Sequence, residues 1–219
     1  MTETKNKKFD INIVVLGCES TGKTTVVNAL CGGEYSEANY GRTTEGINIF
    51  RLSKVPEKEV MCIDLEEVAS SKRSPSANLD ETRCNKRSRN IELTFNKIKE
   101  NNEALRQSRK RGQESKFDIA LNELPITMRN DAQLVITESP GLNVSKDINK
   151  DARAYIEDKW ASFDAALLVM DARQSVDYDD QMESLSFVHK LCSSTKKEIP
   201  VFILCNKVSY NRSNFEVPL

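Results

Sequence analysis

The chain has 219 residues, 38% of them hydrophobic and 30% charged, with a formal net charge of -1. That length suits one domain, and the near-neutral charge excludes a global attraction to nucleic acid or to an anionic membrane. One histidine and six cysteines without C-x-x-C spacing argue against a Cys/His zinc site. The N-terminus lacks the apolar segment of a signal peptide, and the longest apolar runs are far below the roughly 20 residues that span a bilayer. We therefore expect a cytoplasmic protein with reduced thiols.

The first predicted strand covers residues 11–16 and is followed by a helix that starts near Lys23. Between them, GCESTGKTT matches the P-loop pattern G-x-x-x-x-G-K-[ST]. In a P-loop the backbone N–H groups surround phosphates, the lysine contacts the terminal phosphates, and the hydroxyl of Thr24 would bind Mg²⁺. Because the strand and helix provide the context that the motif requires, we predict a nucleotide site formed by Gly17, Cys18, Glu19, Ser20, Thr21, Gly22, Lys23, Thr24 and Thr25.

The segment GRTTEGI, residues 41–47, lies between this helix and the next predicted strand, 46–52. A loop in this place would present a threonine hydroxyl to Mg²⁺ and to the γ-phosphate. Thr44 and Thr43 are both candidates. A further extended stretch, 60–65, is expected to pair with strand 46–52.

Residues 70–116 differ from the rest in charge, with thirteen Lys/Arg against six Asp/Glu. A helix is predicted over 90–111, and its apolar residues fall on one face at helical spacing: Ile91, Phe95, Ile98 and Leu105. Two interpretations stay open, a partly solvated insertion helix or a basic patch for a membrane or protein partner. Since no aromatic residues alternate with the charges, we expect no specific nucleic-acid binding.

Two extended runs, 124–129 and 134–137, predict a hairpin around Asn130-Asp131. The second run leads into TESPGL, residues 137–142. P-loop GTPases place Asp-x-x-Gly here, where the acid holds Mg²⁺ and the glycine N–H senses the γ-phosphate. This chain has Glu138 and Gly141 in those places. Glu is one methylene longer than Asp, so it reaches the metal with an altered geometry or fails to reach it.

The remaining elements alternate: a helix at 151–162, a strand at 165–170, a helix at 180–191 and a strand at 201–205. Such alternation predicts an α/β fold with a largely parallel sheet. The last strand leads into Asn206-Lys207, the start of the Asn-Lys-x-Asp motif that reads guanine. Ser209 stands in the place of the aspartate. We therefore expect weak selectivity for guanine.

Taken together, these motifs resemble the GTPase domain of the dynamin superfamily over about residues 9–207. The P-loop has the form G-x-x-S-x-G-K-[ST], SPGL resembles D-x-P-G-[LIM], and RNIELTFNKIKENN resembles the helix that dynamins insert between their two switch regions. LNELPITMRNDAQLVITESPGL, FDAALLVMDARQSVDYDDQ and PVFILCNK resemble the strands that follow. The resemblance implies a mostly parallel mixed sheet flanked by helices, with a charged helical insertion between the switches.

The resemblance also implies GTP and Mg²⁺ as ligands and a homodimer through the nucleotide face. Ser20, Lys23 and Thr44 take catalytic roles, and Thr24, Thr44 and Glu138 form the metal site. Gly141, Asn206 and Lys207 join the P-loop in binding nucleotide. The chain departs from the family at Glu138, at Ser209 and at Ser175, where dynamins often place an aspartate of the dimer contact. A nucleotide-binding regulator that does not hydrolyse, and a P-loop ATPase, remain alternatives.

We divide the chain into an incomplete dynamin-type GTPase domain, 1–207, and an unrelated tail, 208–219. The charged insertion occupies about 66–123. The tail has no amphipathic helix to follow the last strand, so that strand is expected at an unprotected edge of the sheet. For these reasons we expect GTP hydrolysis to be impaired in this chain.

Overall fold

The computed structural model describes residues 9–38, 44–54, 79–108, 114–121, 132–142, 146–174 and 179–208. It contains six strands in one sheet: β1 (Phe9–Gly17), β2 (Ile47–Lys54), β3 (Glu114–Leu121), β4 (Ala132–Glu138), β5 (Ala165–Asp171) and β6 (Val201–Asn206). Four α-helices accompany them: α1 (Lys23–Cys31), α2 (Leu79–Ser108), α3 (Lys146–Lys159) and α4 (Asp179–Ser194). A 3₁₀ turn, Trp160–Ser162, continues α3.

The strand order is β3-β2-β4-β1-β5-β6. β1 pairs in parallel with β4 and with β5, and β5 pairs in parallel with β6. β2 runs antiparallel to β4 and parallel to β3. The sheet is therefore mixed and mostly parallel, as predicted. The carboxyl ends of β1, β4, β5 and β6 lie at one edge of the sheet, and ligands bind at such an edge in open α/β sheets.

Hydrophobic cores cover both faces of the sheet, and the alternation along β1 shows how they divide. Val14 and Leu16 belong to a core with Trp160 of the 3₁₀ turn and Phe187 of α4. Val15 belongs to the opposite core, which includes residues of α1 and α2: Val27, Cys31 and Ile98. Because successive strand side chains point to opposite faces, β1 is buried on both sides. The end of β1 that leads into the P-loop is therefore held in place on both faces of the sheet.

The charged insertion contains more regular structure than its composition indicated. α2 begins at Leu79, eleven residues before the predicted start, and ends at Ser108 rather than 111. Ile98 and Leu105 are buried and Ile91 is partly buried, so the predicted apolar face is confirmed. α2 is 30 residues long, yet no described helix is both long and apolar enough to cross a membrane.

β3 is a strand that the sequence analysis did not predict, since the insertion was expected to be helical. It pairs with β2 over its whole length, and the Phe117 ring packs on Phe50 with 5.8 Å between centroids. Its sequence ESKFDIAL has little local strand signal because the charges of the region dominate, and the neighbouring strand supplies the pairing. The predicted strands at 60–65 and 124–129 lie outside the described residues.

Candidate functional site

The P-loop connects the buried end of β1 to the start of α1. Ser20 and Gly22 have left-handed backbone conformations, with φ of 60° and 94°. The hydroxyl of Thr21 donates to the carbonyl of Cys18 at 3.1 Å, and the N–H of Val26 donates to Gly22 O at 3.0 Å. The loop therefore closes on itself and leads directly into the first turn of α1.

Lys23 is buried, with 6% of its surface exposed. Its ammonium donates to Gly17 O at 3.1 Å and to Cys18 O at 2.6 Å. These carbonyls belong to the same loop, so the lysine charge lies inside the loop, where phosphate oxygens would be bound. A bound phosphate would exchange loop carbonyls for stronger, negatively charged acceptors.

Three residues predicted to bind metal come together where α1, the 44–46 segment and β4 meet. The Thr24 hydroxyl donates to Glu138 Oε1 at 2.6 Å, the Thr44 hydroxyl donates to the same oxygen at 3.1 Å, and the two hydroxyl oxygens lie 3.4 Å apart. Glu138 is fully buried. Burial raises the pKa of its carboxyl, and the hydrogen bond from Thr24 partly offsets that increase.

The oxygen set at this cluster fits a hard divalent cation such as Mg²⁺. Mg²⁺ prefers carboxylate and hydroxyl oxygens and usually shares its shell with phosphate oxygens. The extra methylene of Glu138 does not keep its carboxylate away, since Oε1 lies within hydrogen-bonding distance of both threonines.

Asn48 is a polar residue of this cluster that the sequence analysis missed. It lies opposite Glu138 in the β2–β4 pairing, and its amide nitrogen is 3.5 Å from Glu138 Oε2. It is fully buried, and its Oδ1 has no hydrogen-bond partner among the described residues. An unpaired buried amide oxygen is costly, and it adds an acceptor to the same region. The available signal was a lone polar residue inside the apolar stretch INIF.

Gly141 lies against the P-loop backbone. A Cβ at this position would stand 2.6 Å from the backbone nitrogen of Glu19, closer than real side chains approach. Next to it, the Leu142 N–H donates to Gly17 O at 3.1 Å. Only glycine fits this approach, so the segment after β4 is held beside the phosphate loop.

The end of β6 contacts the P-loop from the other side. The Asn206 amide donates to Thr21 O at 3.0 Å, and the Lys207 ammonium donates to Ser20 O. Both residues of the predicted Asn-Lys pair thus lie beside the P-loop.

The sequence profile of the Dynamin family matches residues 13–207. The chain belongs to the dynamin family. No curated protein sequence matches the chain.

Among solved structures, the chain is similar to a bacterial dynamin described in the words "An oligomerised bacterial dynamin pair provides a mechanism for the long range sensing and tethering of membranes". The sequence identity is 16% and the TM-score is 0.47. The match covers 95% of this chain and 29% of that chain. The chain therefore spans less than a third of the length of that bacterial dynamin.

In this dynamin-family chain the long insertion helix contacts the segment that carries Thr44. The Glu45 N–H donates to Asn102 Oδ1 at 3.1 Å, and Arg106 Nε donates to Glu45 Oε1 at 3.1 Å. Both partners lie on α2. The insertion helix thus holds the backbone next to Thr44, a contact that sequence spacing did not indicate.

The other predicted site residues differ in exposure. Cys18 is buried, and its thiol contacts Asp180 O and Ser184 Oγ, each at 3.1 Å. Burial raises the pKa of the Cys18 thiol. Glu19 is half-buried, whereas Ser20 and Thr25 are exposed on the loop and on α1. Thr43, Ser175 and Ser209 lie outside the described residues.

Proposed function

We propose that this chain binds GTP together with Mg²⁺ at the P-loop, and that Thr24, Thr44 and Glu138 hold the metal. The observation that carries the proposal is the convergence of both threonine hydroxyls on one oxygen of Glu138. A bound Mg²⁺ would neutralise charge on the phosphate oxygens during transfer.

The chain's own residues bind and orient the nucleotide. Lys23 would donate to the terminal phosphate oxygens, and Ser20 would lie beside the transferred phosphate. Gly141 would bring its N–H to the γ-phosphate, because it is already packed on the P-loop backbone. Asn206 and Lys207 would bound the site on the base side, where both contact loop carbonyls.

We propose that GTP hydrolysis is slow in this chain. The metal cluster centres on Glu138, which accepts hydrogen bonds from both threonine hydroxyls. Glu138 also sets its carboxylate one methylene further from the backbone than the aspartate common in the family. A misplacement near 1 Å in a catalytic site can cost on the order of a hundredfold in rate.

We also propose weak selectivity for guanine. Ser209 cannot offer the paired, charged acceptor that an aspartate presents to guanine. Within the described part of the site, the Asn206 amide nitrogen already donates a hydrogen bond to Thr21 O.

The organisation proposed with this function is a GTPase domain ending at residue 207, where the family match also ends, followed by a tail at 208–219. A homodimer through the nucleotide face would complete the site. The basic insertion would contact a membrane or protein partner. The chain would work in the cytoplasm.

The first experiment measures the affinity of the chain for fluorescent GTP and ATP analogues, with and without Mg²⁺. We expect Mg²⁺-dependent binding that Lys23→Ala weakens at least tenfold, since each lost charge-assisted hydrogen bond costs about 1.5–3 kcal/mol. Lys190→Ala, on the exposed face of α4, is the matched control. Equal binding by Lys23→Ala would reject the site, and tight binding of ATP alone would favour the ATPase alternative.

The second experiment measures GTP turnover against protein concentration for the chain and for Glu138→Asp. We expect slow turnover that rises with concentration if two domains pair across the nucleotide. Faster turnover in Glu138→Asp would assign the defect to the metal cluster. Tight GTP binding with no turnover in either protein would favour the non-hydrolysing regulator.

A further inference from the structure

Asp171, the last residue of β5, has a buried carboxylate with an unusual set of partners. Its side chain is 5% exposed and accepts hydrogen bonds from two positively charged residues. Arg173 donates through Nε to Oδ1 at 3.0 Å and through Nη2 to Oδ2 at 2.8 Å. Lys207 donates to Oδ2 at 3.2 Å. The hydrogen bonds from Arg173, followed by those from Lys207, hold the pKa of Asp171 well below its usual range.

The sheet brings Asp171 and Lys207 together. In the parallel pairing of β5 with β6, Asp171 lies opposite Asn206, the residue before Lys207. The Ala172 N–H also donates to Asn206 O at 2.8 Å. The carboxylate therefore stands beside the ammonium because of the strand register, and the two residues are 36 positions apart in sequence.

Lys207 connects this carboxylate to the P-loop, because its ammonium also donates to Ser20 O. Ser20 and Lys207 are the two non-glycine residues with positive φ in the described ranges, each at 60°. A left-handed conformation is unfavourable for such residues, because their Cβ crowds the following carbonyl oxygen. The two residues that bear this cost are thus joined by one hydrogen bond, and Asp171 holds its donor.

We infer that Asp171 is a positioning residue, which holds the Lys207 ammonium on the Ser20 carbonyl so that the P-loop and the end of β6 keep one joint arrangement. A purely local role would be a turn cap, in which Oδ1 accepts the Arg173 N–H at 3.0 Å. That role accounts for Oδ1 and leaves the contact between Oδ2 and Lys207 unexplained. The effect of the Asp171–Lys207 contact on nucleotide affinity rests on the proposed function. Its effect on the order of the P-loop does not.

The test is hydrogen exchange of the nucleotide-free chain, followed by mass spectrometry of peptides covering the P-loop and residues 201–208. Asp171→Asn keeps the size of the side chain and removes its charge. We expect about tenfold faster exchange in the P-loop peptide, a factor that one lost charged hydrogen bond accounts for. Exchange in the β4 peptide should stay unchanged.

Asp164→Asn is the matched control, since Asp164 precedes the other end of β5 and pairs with Lys197 at 3.4 Å. Its variant should leave the P-loop peptide unchanged. Unchanged P-loop exchange in Asp171→Asn would overturn the inference. Faster exchange throughout the chain in Asp171→Asn would also overturn it, because that result indicates a general structural role.

A double-variant cycle tests whether Asp171 acts through Lys207. In the Lys207→Met background we expect Asp171→Asn to add no further loosening of the P-loop, and additive effects would overturn the inference. Fluorescent GTP binding is measured on the same four proteins. If the wild-type chain binds no GTP, the proposed function fails, while the exchange result still decides the role of Asp171.

Discussion

β1 and β6 are both apolar strands that flank β5 in parallel, and both end at the P-loop. Their environments differ completely. Val14, Val15 and Leu16 of β1 are 0% exposed. Phe202, Ile203 and Leu204 of β6 are 59%, 55% and 38% exposed.

The difference in exposure arises from the strands and cores that surround each strand. β1 has a strand on each side and a hydrophobic core on each face, whereas β6 is the last of the six described strands in the sheet order. The P-loop therefore rests on the core, and the Asn206-Lys207 pair rests on an exposed edge of the described sheet. Strand pairing with further chains is a known hazard of such edges. An apolar sequence allows a strand to be buried. The position of the strand in the sheet determines whether it is buried.

The largest expected effect is a difference in the free energy of unfolding between a leucine variant in β1 and a leucine variant in β6. Leu16→Ala should lower the free energy of unfolding by about 2–5 kcal/mol, because it opens a cavity in a packed core. Leu204→Ala removes the same atoms from a partly solvated position and should cost below about 1 kcal/mol. Urea denaturation of both variants measures the difference. Equal losses would mean that β6 is covered in solution.

Gly22→Ala should break the contact between the P-loop, which follows β1, and Asn206 at the end of β6. Gly22 has a φ of 94°, and a Cβ there would collide with the Asn206 amide nitrogen. We expect at least tenfold weaker binding of fluorescent GTP, since the left-handed backbone alone costs roughly 1–2 kcal/mol. Gly33→Ala is the control, because its Cβ would meet the flexible end of Ile91. Unchanged GTP affinity in Gly22→Ala would separate the Asn206 contact from nucleotide binding.

A charge on the exposed edge sharpens the comparison further. Ile203→Lys should reduce self-association measured by light scattering, because lysine on an edge strand opposes pairing with other chains. Leu93→Lys on α2, where Leu93 is 52% exposed, adds the same charge away from the edge. A similar reduction from both variants would assign the effect to net charge rather than to the strand edge.

The smallest expected effect concerns the pH dependence of the link at Asp171. Its pKa is lowered in the folded chain, so its ionised form contributes stability above the unfolded pKa of about 3.9 and loses it as pH falls through the folded pKa. The stability difference between wild type and Asp171→Asn should therefore be constant above about pH 5 and shrink in stronger acid. Denaturation midpoints measured across this range provide the test. A difference that grows on acidification would contradict the sign.

Much of the fold could be predicted because its signals are local. The P-loop, α1 and its end at Gly32, which has a φ of 69°, depend on neighbouring residues. The same is true of the apolar strands β5 and β6. β3 could not be predicted, since its charged sequence becomes a strand through pairing with β2. The predicted start of α2 was also wrong, because the helix begins at Leu79, well before its apolar stripe.

The candidate site divides in the same way. Gly17 to Thr25 follow from consecutive residues, and Glu138 follows from a motif after a strand. The sequence could not show that Glu138 contacts Thr24, from which it is separated by 114 positions. That contact depends on β4 pairing with β1, which sets Glu138 opposite Val15. Asn48 was missed for the same reason, because its partner lies across the β2–β4 pairing.

The sequence by itself determined the phosphate loop, the alternation of strands and helices, and the family. The reason is that turn chemistry, hydrophobic periodicity and motif spacing act between near neighbours along the chain. The tertiary structure alone decided that α2 holds the segment of Thr44 and that Asp171 reaches Lys207. Those contacts depend on strand order and register, which set the distances between side chains far apart in sequence.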